Sequence, residues 1–233
     1  MRGARIVALA LGALIVAVAV EAQVGSTRYA LNGATYAVPH KYEFTRNFRL
    51  PWLEGLQGLD KEPDESVWLL LPASEVARDI PSYSRMFHGY SSEVEADMVV
   101  NVLGGKEAAE FPQDRSRFER MVAEAIASGE GPEDEKLTGW ERVYSMRGTE
   151  GTPGMGHSSF FLLPKGGLKE LPAEWLPPMC QSSPDINGRE TYHCAYTIFQ
   201  DGLTFDFSLR QVNLGVAPRI PDYVMSRLKE WRS

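Results

Sequence analysis

The chain has 233 residues, of which 43% are apolar, and carries 24 Lys+Arg against 31 Asp+Glu, a formal net charge of −7. That apolar content supports a sizeable core and excludes intrinsic disorder. The acidic balance excludes a nucleic-acid binder, whose task demands a basic face.

Arg2 and Arg5 precede an unbroken apolar run from Ile6 to Val20, ended by Glu21. A short basic region, an apolar core and a small-residue site form a secretory leader, with cleavage expected after Ala22. A retained anchor is the alternative, but a membrane span needs roughly 18–20 apolar residues, and the run is shorter. No cysteine stands at the expected cleavage site, so no lipid tether is expected at a new N-terminus, and the exported chain is expected to be soluble, without a stable membrane anchor. Removing residues 1–22 takes away Arg2, Arg5 and Glu21 and leaves a formal charge of −8. Residues 23–233 are expected to form one α+β domain, with lobes 23–130 and 131–233 as an open alternative.

Thr27 to Ala37 reads as a hairpin around Asn32-Gly33, because both turn positions need positive φ. Pro39 stops its second strand. Residues 40–65 are irregular, with Trp52 among glycines and prolines and a solvated run Lys61-Glu62-Pro63-Asp64-Glu65. Ser66 to Leu71 reads as a buried strand by composition; a short helix follows over Ala73 to Arg78. Ala96 to Leu103 is another strand. Pro112 to Ser128 is the clearest helix: Phe118, Met121, Val122, Ala125 and Ile126 recur as one apolar stripe, and Gly129 is a natural stop.

Gly131 to Lys136 reads as a charged loop. Trp140 to Met146 and His157 to Leu163 read as strands, linked by the glycine-rich Gly148 to Gly156. Pro164 to Pro178 reads as loop, with Trp175 either capping the core edge or serving as an interface anchor. Thr191 to Phe199 and Leu203 to Arg210 form a second hairpin joined by Gln200-Asp201-Gly202. In the last strand Leu203, Phe205, Phe207 and Leu209 face inward and Thr204, Asp206, Ser208 and Arg210 outward. Pro221 to Trp231 closes the chain as a helix, with Asp222 in its first turn. The order predicts an α+β fold of mainly antiparallel sheet with two principal helices, and leaves open two ββ…βα lobes.

The two cysteines, Cys180 and Cys194, are separated by the turn-forming Ser183-Pro184-Asp185-Ile186-Asn187-Gly188. An even count in an exported chain points to a disulfide, worth about 3 kcal/mol for a loop of that size. A metal pair and a reactive thiol are the competing readings. The four histidines, His40, His88, His157 and His193, never stand at ligand spacing, so no metal or cofactor is expected, and His193 reads as an outward or satisfied sheet residue. His157-Ser158 is the only stretch resembling a nucleophile neighbourhood, and a nucleophile also needs an oriented base and an oxyanion hole. The acidic clusters Asp60–Glu65, Glu93–Asp97 and Glu133–Glu135 lack the calcium-loop cadence. They read as solvated loops or as a negative rim for a basic partner.

The opening Tyr29-Ala30-Leu31-Asn32-Gly33-Ala34-Thr35-Tyr36-Ala37-Val38-Pro39 with nearby Tyr42, and the closing Pro221-Asp222-Tyr223 with its Trp-bearing helix, resemble periplasmic immunity proteins. These neutralise type VI secretion effectors, phospholipase toxins in particular. The resemblance implies a non-enzymatic inhibitor in the periplasm whose partner is a cognate toxin effector. It also implies a contact surface, to which we assign Trp52, Asp60, Glu62, Asp64 and Glu65 together with Glu130, Glu133, Asp134 and Glu135. The alternatives are an envelope module that binds a ligand or assists assembly, and a hydrolase using His157 and Ser158.

Overall fold

The structure is a computed structural model that describes residues 25–44, 65–87, 94–95, 97–129, 131–134, 139–146, 158–184 and 190–233. The expected leader over residues 1–22 lies outside the described residues.

Asn32 and Gly33 take φ of 48° and 74°, the two positive values a tight hairpin turn requires. They join β1 (Ser26–Leu31) to β2 (Ala34–Pro39) as an antiparallel pair. Then come β3 (Ser66–Leu71), helix α1 (Ala73–Asp79) and the short pair β4 (Met86–Phe87) and β5 (Val94–Glu95). β6 (Met98–Leu103) leads into α2 (Gly105–Ala109) and the long helix α3 (Phe111–Ala127). Pro112 stands in the first turn of α3, where its missing N–H has no partner to lose.

Next come β7 (Glu133–Asp134), β8 (Trp140–Met146), β9 (Ser158–Pro164), β10 (Met179–Pro184), β11 (Glu190–Gln200) and β12 (Leu203–Arg210). The β11–β12 turn is the two residues Asp201 and Gly202, with φ of 53° and 79°. Gln200 remains in the ladder opposite Leu203. A 3₁₀ segment (Gln211–Arg219) and helix α4 (Ile220–Trp231) end the chain.

Among the described residues, eight strands form one sheet in the order β3-β6-β12-β11-β10-β9-β8-β7, every pairing antiparallel. The fold is α+β, mainly antiparallel sheet, with α3 and α4 as its principal helices. The sheet takes β3 and β6 from residues 23–130 and the other strands from 131–233, joined where β6 pairs with β12.

One face of this sheet carries the main core. Val67, Leu69, Val100, Val102, Phe205, Phe207, Tyr196 and Ile198 are buried there against Leu31 and Val38 of the hairpin, Val76 of α1, and Val224 and Leu228 of α4. On the other face, Val122 of α3 packs on Val143, Phe161 and Leu163, flanked by Phe118 and Ala125.

Four readings need correction. Ser66–Leu71 is an edge strand rather than a fully buried one: Val67, Leu69 and Leu71 point inward, whereas Trp68 is 51% exposed, as alternation requires of a strand with one covered face. The α3 stripe is wider than the surface that receives it, so Met121 and Ile126 stand exposed. Ser183 and Pro184, read as the start of a turn, instead end the strand Met179–Pro184, which is paired on both sides, and Glu133–Asp134, read within a charged loop, pairs with Arg142 and Glu141.

Candidate functional site

Among the described residues, a concave feature lies where the sheet ends meet the segment leading into α4. Trp140 opens β8 and Pro164 closes β9 directly opposite it. The chain then passes a 3₁₀ turn (Gly167–Glu170) and comes back across β11. There Trp175 forms a bridge with Ile198, Leu176 N–H donates to the Thr197 carbonyl at 2.9 Å, and Phe199 N–H donates to the Glu174 carbonyl at 2.7 Å. Strand pairing thus clamps a loop that has little strand propensity of its own.

α3 fixes the same loop from the other side. The Arg115 guanidinium donates to the carbonyls of Pro172 and Trp175 while its Nε donates to Glu119 Oε1 at 2.7 Å. One cation thereby ties down two carbonyls of the loop, of which that of Pro172 also accepts from Trp175 N–H at 3.0 Å, and this sets the loop's height above the sheet. Phe111, at the start of α3, stacks on Phe199 at 5.4 Å. Trp175 is 8% exposed and meets Tyr196 edge-on at 5.8 Å, so its ring seals the core edge while its outer rim faces the cleft. Gln200 Nε2 donates to Asp222 Oδ1 at 2.7 Å, tying the end of β11 to the first turn of α4.

The resulting cleft has a volume of about 710 Å³ and is lined by Trp140, Trp175, Phe199 and Ile198, by Pro164, Pro172, Pro218 and Pro221, and by Glu170, Glu174, Gln200 and Asp201. That volume falls in the range of ligand and anchor pockets. The four prolines bring apolar surface without an N–H to satisfy. Glu170, Glu174 and Asp201 are exposed at the rim. Chemically the arrangement offers rigid apolar contact framed by negative charge.

A second polar centre fastens α1 to α4. Arg227 Nη2 lies 3.0 Å from Asp79 Oδ2 and 3.4 Å from Glu75 Oε2, and Nη1 lies 3.4 Å from Glu230 Oε2. Tyr42 donates to Glu75 Oε2 at 2.7 Å. Burial lowers the Arg227 pKa, but the hydrogen bond and charge of Tyr223, with Glu230, raise it by more than burial takes away. This is a brace between helices.

The disulfide between Cys180 and Cys194 is present. It links residues directly opposite on β10 and β11 and is buried in the main core. Trp52, Asp60, Glu62, Asp64, Glu130, Glu135 and His157 lie outside the described residues. Glu65 stands just before β3; its carbonyl accepts from Gly104 N–H at 2.7 Å and its carboxylate from Lys106 N–H at 3.3 Å. Glu133 and Asp134 form β7, at the opposite edge of the sheet. The structure therefore sets Glu65 far from Glu133 and Asp134.

Ser158 begins β9, about 20 Å from the cleft end of that strand at the usual rise per residue. His193 faces solvent opposite Arg210 on β12, its pKa lowered first by partial desolvation against its neighbours and then by that cation. No helix of the described residues is long and apolar enough to cross a membrane.

Sequence reasoning missed Trp140, Glu170, Glu174 and Asp201 as members of one site. The available signal was Trp175 with its proline-rich surroundings. What it lacked was the return of that loop across β11.

No family model matches the chain, and no curated protein matches it. Among solved structures, the chain is similar to the iron-regulated outer membrane lipoprotein FrpD of Neisseria meningitidis, with a TM-score of 0.41, 10% identity, and coverage of 90% of this chain and 93% of that one. A likeness of that degree carries no argument about function. The geometry itself comes to a disulfide-bonded α+β chain with a rigid, aromatic, acid-rimmed cleft.

Proposed function

We propose that this chain is an exported immunity protein that binds a secreted antibacterial toxin, of the phospholipase-effector class, in the periplasm and blocks it stoichiometrically. The cleft supports this reading. Its walls are aromatic rings and prolines held in place by backbone pairing and by Arg115, a construction suited to receiving a preformed partner surface at low entropic cost. The buried disulfide suits an oxidising compartment, and the acidic balance of the chain favours rapid encounter with a basic partner. The toxin class rests on the resemblance of the hairpin and the closing helix.

The test is protection. Cells producing a periplasm-directed phospholipase effector encoded beside this gene are expected to grow when the chain is co-produced with its leader and to lyse without it, with a complex measurable by calorimetry. Growth arrest unchanged by co-production overturns the reading. Charge reversal at Asp64, Glu65, Asp134 and Glu135 together is expected to weaken the complex; an unchanged affinity removes those acidic runs from the contact surface.

A further inference from the structure

We infer that the cleft receives an extended segment of the protein partner in which a lysine or arginine stands beside an aromatic or other apolar residue. The inference rests on the protein-binding reading above and goes beyond it by naming the chemistry of what binds and where.

Three observations carry it. First, the walls are apolar and stiff: Trp140, Phe199 and the four prolines line the site, and Trp175 is locked by Tyr196 and the bridge to Ile198. Second, the charge at the rim has one sign. Glu170, Glu174 and Asp201 are the charged lining residues, and among the described residues none of the three is engaged in an ion pair. Three carboxylates lining one site without a described ion-pair partner offer an incoming cation a favourable charge. An indole at the edge of the site adds a face on which a guanidinium can stack.

Third, size selects the backbone form. A helix with its side chains is 10–12 Å across and rises 5.4 Å per turn, about 500 Å³ for each turn. The cleft, at about 710 Å³, holds little more than one such turn. An extended segment or loop tip sends alternate side chains to opposite sides, so one apolar side chain can enter while its neighbour reaches the rim carboxylates.

The experiment is selection from a phage-displayed library of random peptides on the purified protein, with counter-selection on the triple variant Glu170→Gln, Glu174→Gln, Asp201→Asn. All three positions are exposed, and an unchanged circular dichroism spectrum and melting curve verify that the variant folds. Enriched peptides are expected to carry Lys or Arg next to an aromatic, Pro or Leu. They should bind the triple variant about tenfold more weakly and lose affinity as salt rises from about 0.05 to about 0.5 M. Failure to enrich any sequence, enrichment of sequences without basic residues, or equal binding to the triple variant overturns the inference. The protection assay separates the two proposals. Full protection by the triple variant sinks the cleft as contact site while the immunity reading stands. Peptide binding as expected with no protection by the wild type sinks the immunity reading and leaves the cleft chemistry intact.

Discussion

The two faces of the eight-stranded sheet are built on different terms. On one, the hairpin β1–β2, helix α1, the 3₁₀ segment and α4 cover β3, β6, β12 and β11, and the inward side chains are almost wholly apolar. On the other, the described cover over β8 and β9 is α3. In the middle of that face a row of residues in register runs Trp68, Asn101, Asp206 and Thr197 across four strands, with Thr197 Oγ1 donating to Asp206 Oδ1 at 2.7 Å. The contrast sets the main core apart from the cleft proposed as a contact site, with Trp175 and Ile198 belonging to both. Burial of large side chains concentrates on the first face, while the cleft forms at the end of the sheet, where loop 165–178 and the α4 entry overhang it.

The contrast can be broken by mutation. Phe205, fully buried in the main core, should cost about 3–5 kcal/mol when changed to Ala, read as a shift of the urea midpoint at constant slope. A loss near that of a surface change would remove this face as the seat of stability. The disulfide lies on the same face. Replacing Cys180 and Cys194 together by Ser should cost about 2–4 kcal/mol, and dithiothreitol should lower the wild-type melting temperature to that of the variant. A wild type unmoved by reductant would show that the bond does not contribute.

Smaller effects sharpen the picture. Asp79 has its pKa lowered below the ordinary 3.8, first by the hydrogen bond from Arg78 against a cost of burial, then by the charges of Arg78 and Arg227. A carboxyl whose folded pKa is depressed stabilises the fold above its unfolded pKa and loses that contribution as pH falls through the folded value. The stability advantage of wild type over Asp79→Asn should therefore be complete at pH 6 and shrink below about pH 4. Because Asp79 is exposed, the advantage should stay under about 1 kcal/mol and fade in high salt. A difference that grows on acidification would contradict the sign. The smallest effect belongs to the exposed edge of α3. Met121→Ala should change stability by no more than about 0.5 kcal/mol, and a loss of 2 kcal/mol or more would mean that a further surface covers this helix.

Much of the architecture was legible because its signals are local. Asn32-Gly33 and Asp201-Gly202 announce hairpins, since only residues tolerant of positive φ can occupy such turns. The strand Trp140–Met146 and the start of β3 at Ser66 agree with the alternation and composition of their own residues. β10 was not legible. Gln181, Ser182 and Ser183 have weak strand preference, and they are held extended by β9 and β11 on either side and by Cys180 bonded to Cys194. Trp68 was misjudged for the same reason: its exposure depends on which side of β3 is covered, which no window of sequence contains.

By itself, then, the chain of residues determined the order of the longer strands other than β10 and of the two principal helices, the two tight turns and the acidic charge, and pointed to a disulfide between its two cysteines, all of which follow from neighbours in sequence or from counting. Tertiary structure alone decided that β6 lies beside β12, that Arg115 reaches over to the carbonyls of Pro172 and Trp175, and that Trp140, Glu174, Asp201 and Pro221 share one cleft. The physical reason is that such contacts join residues separated by tens of positions, and their geometry exists only once the sheet has closed around its core.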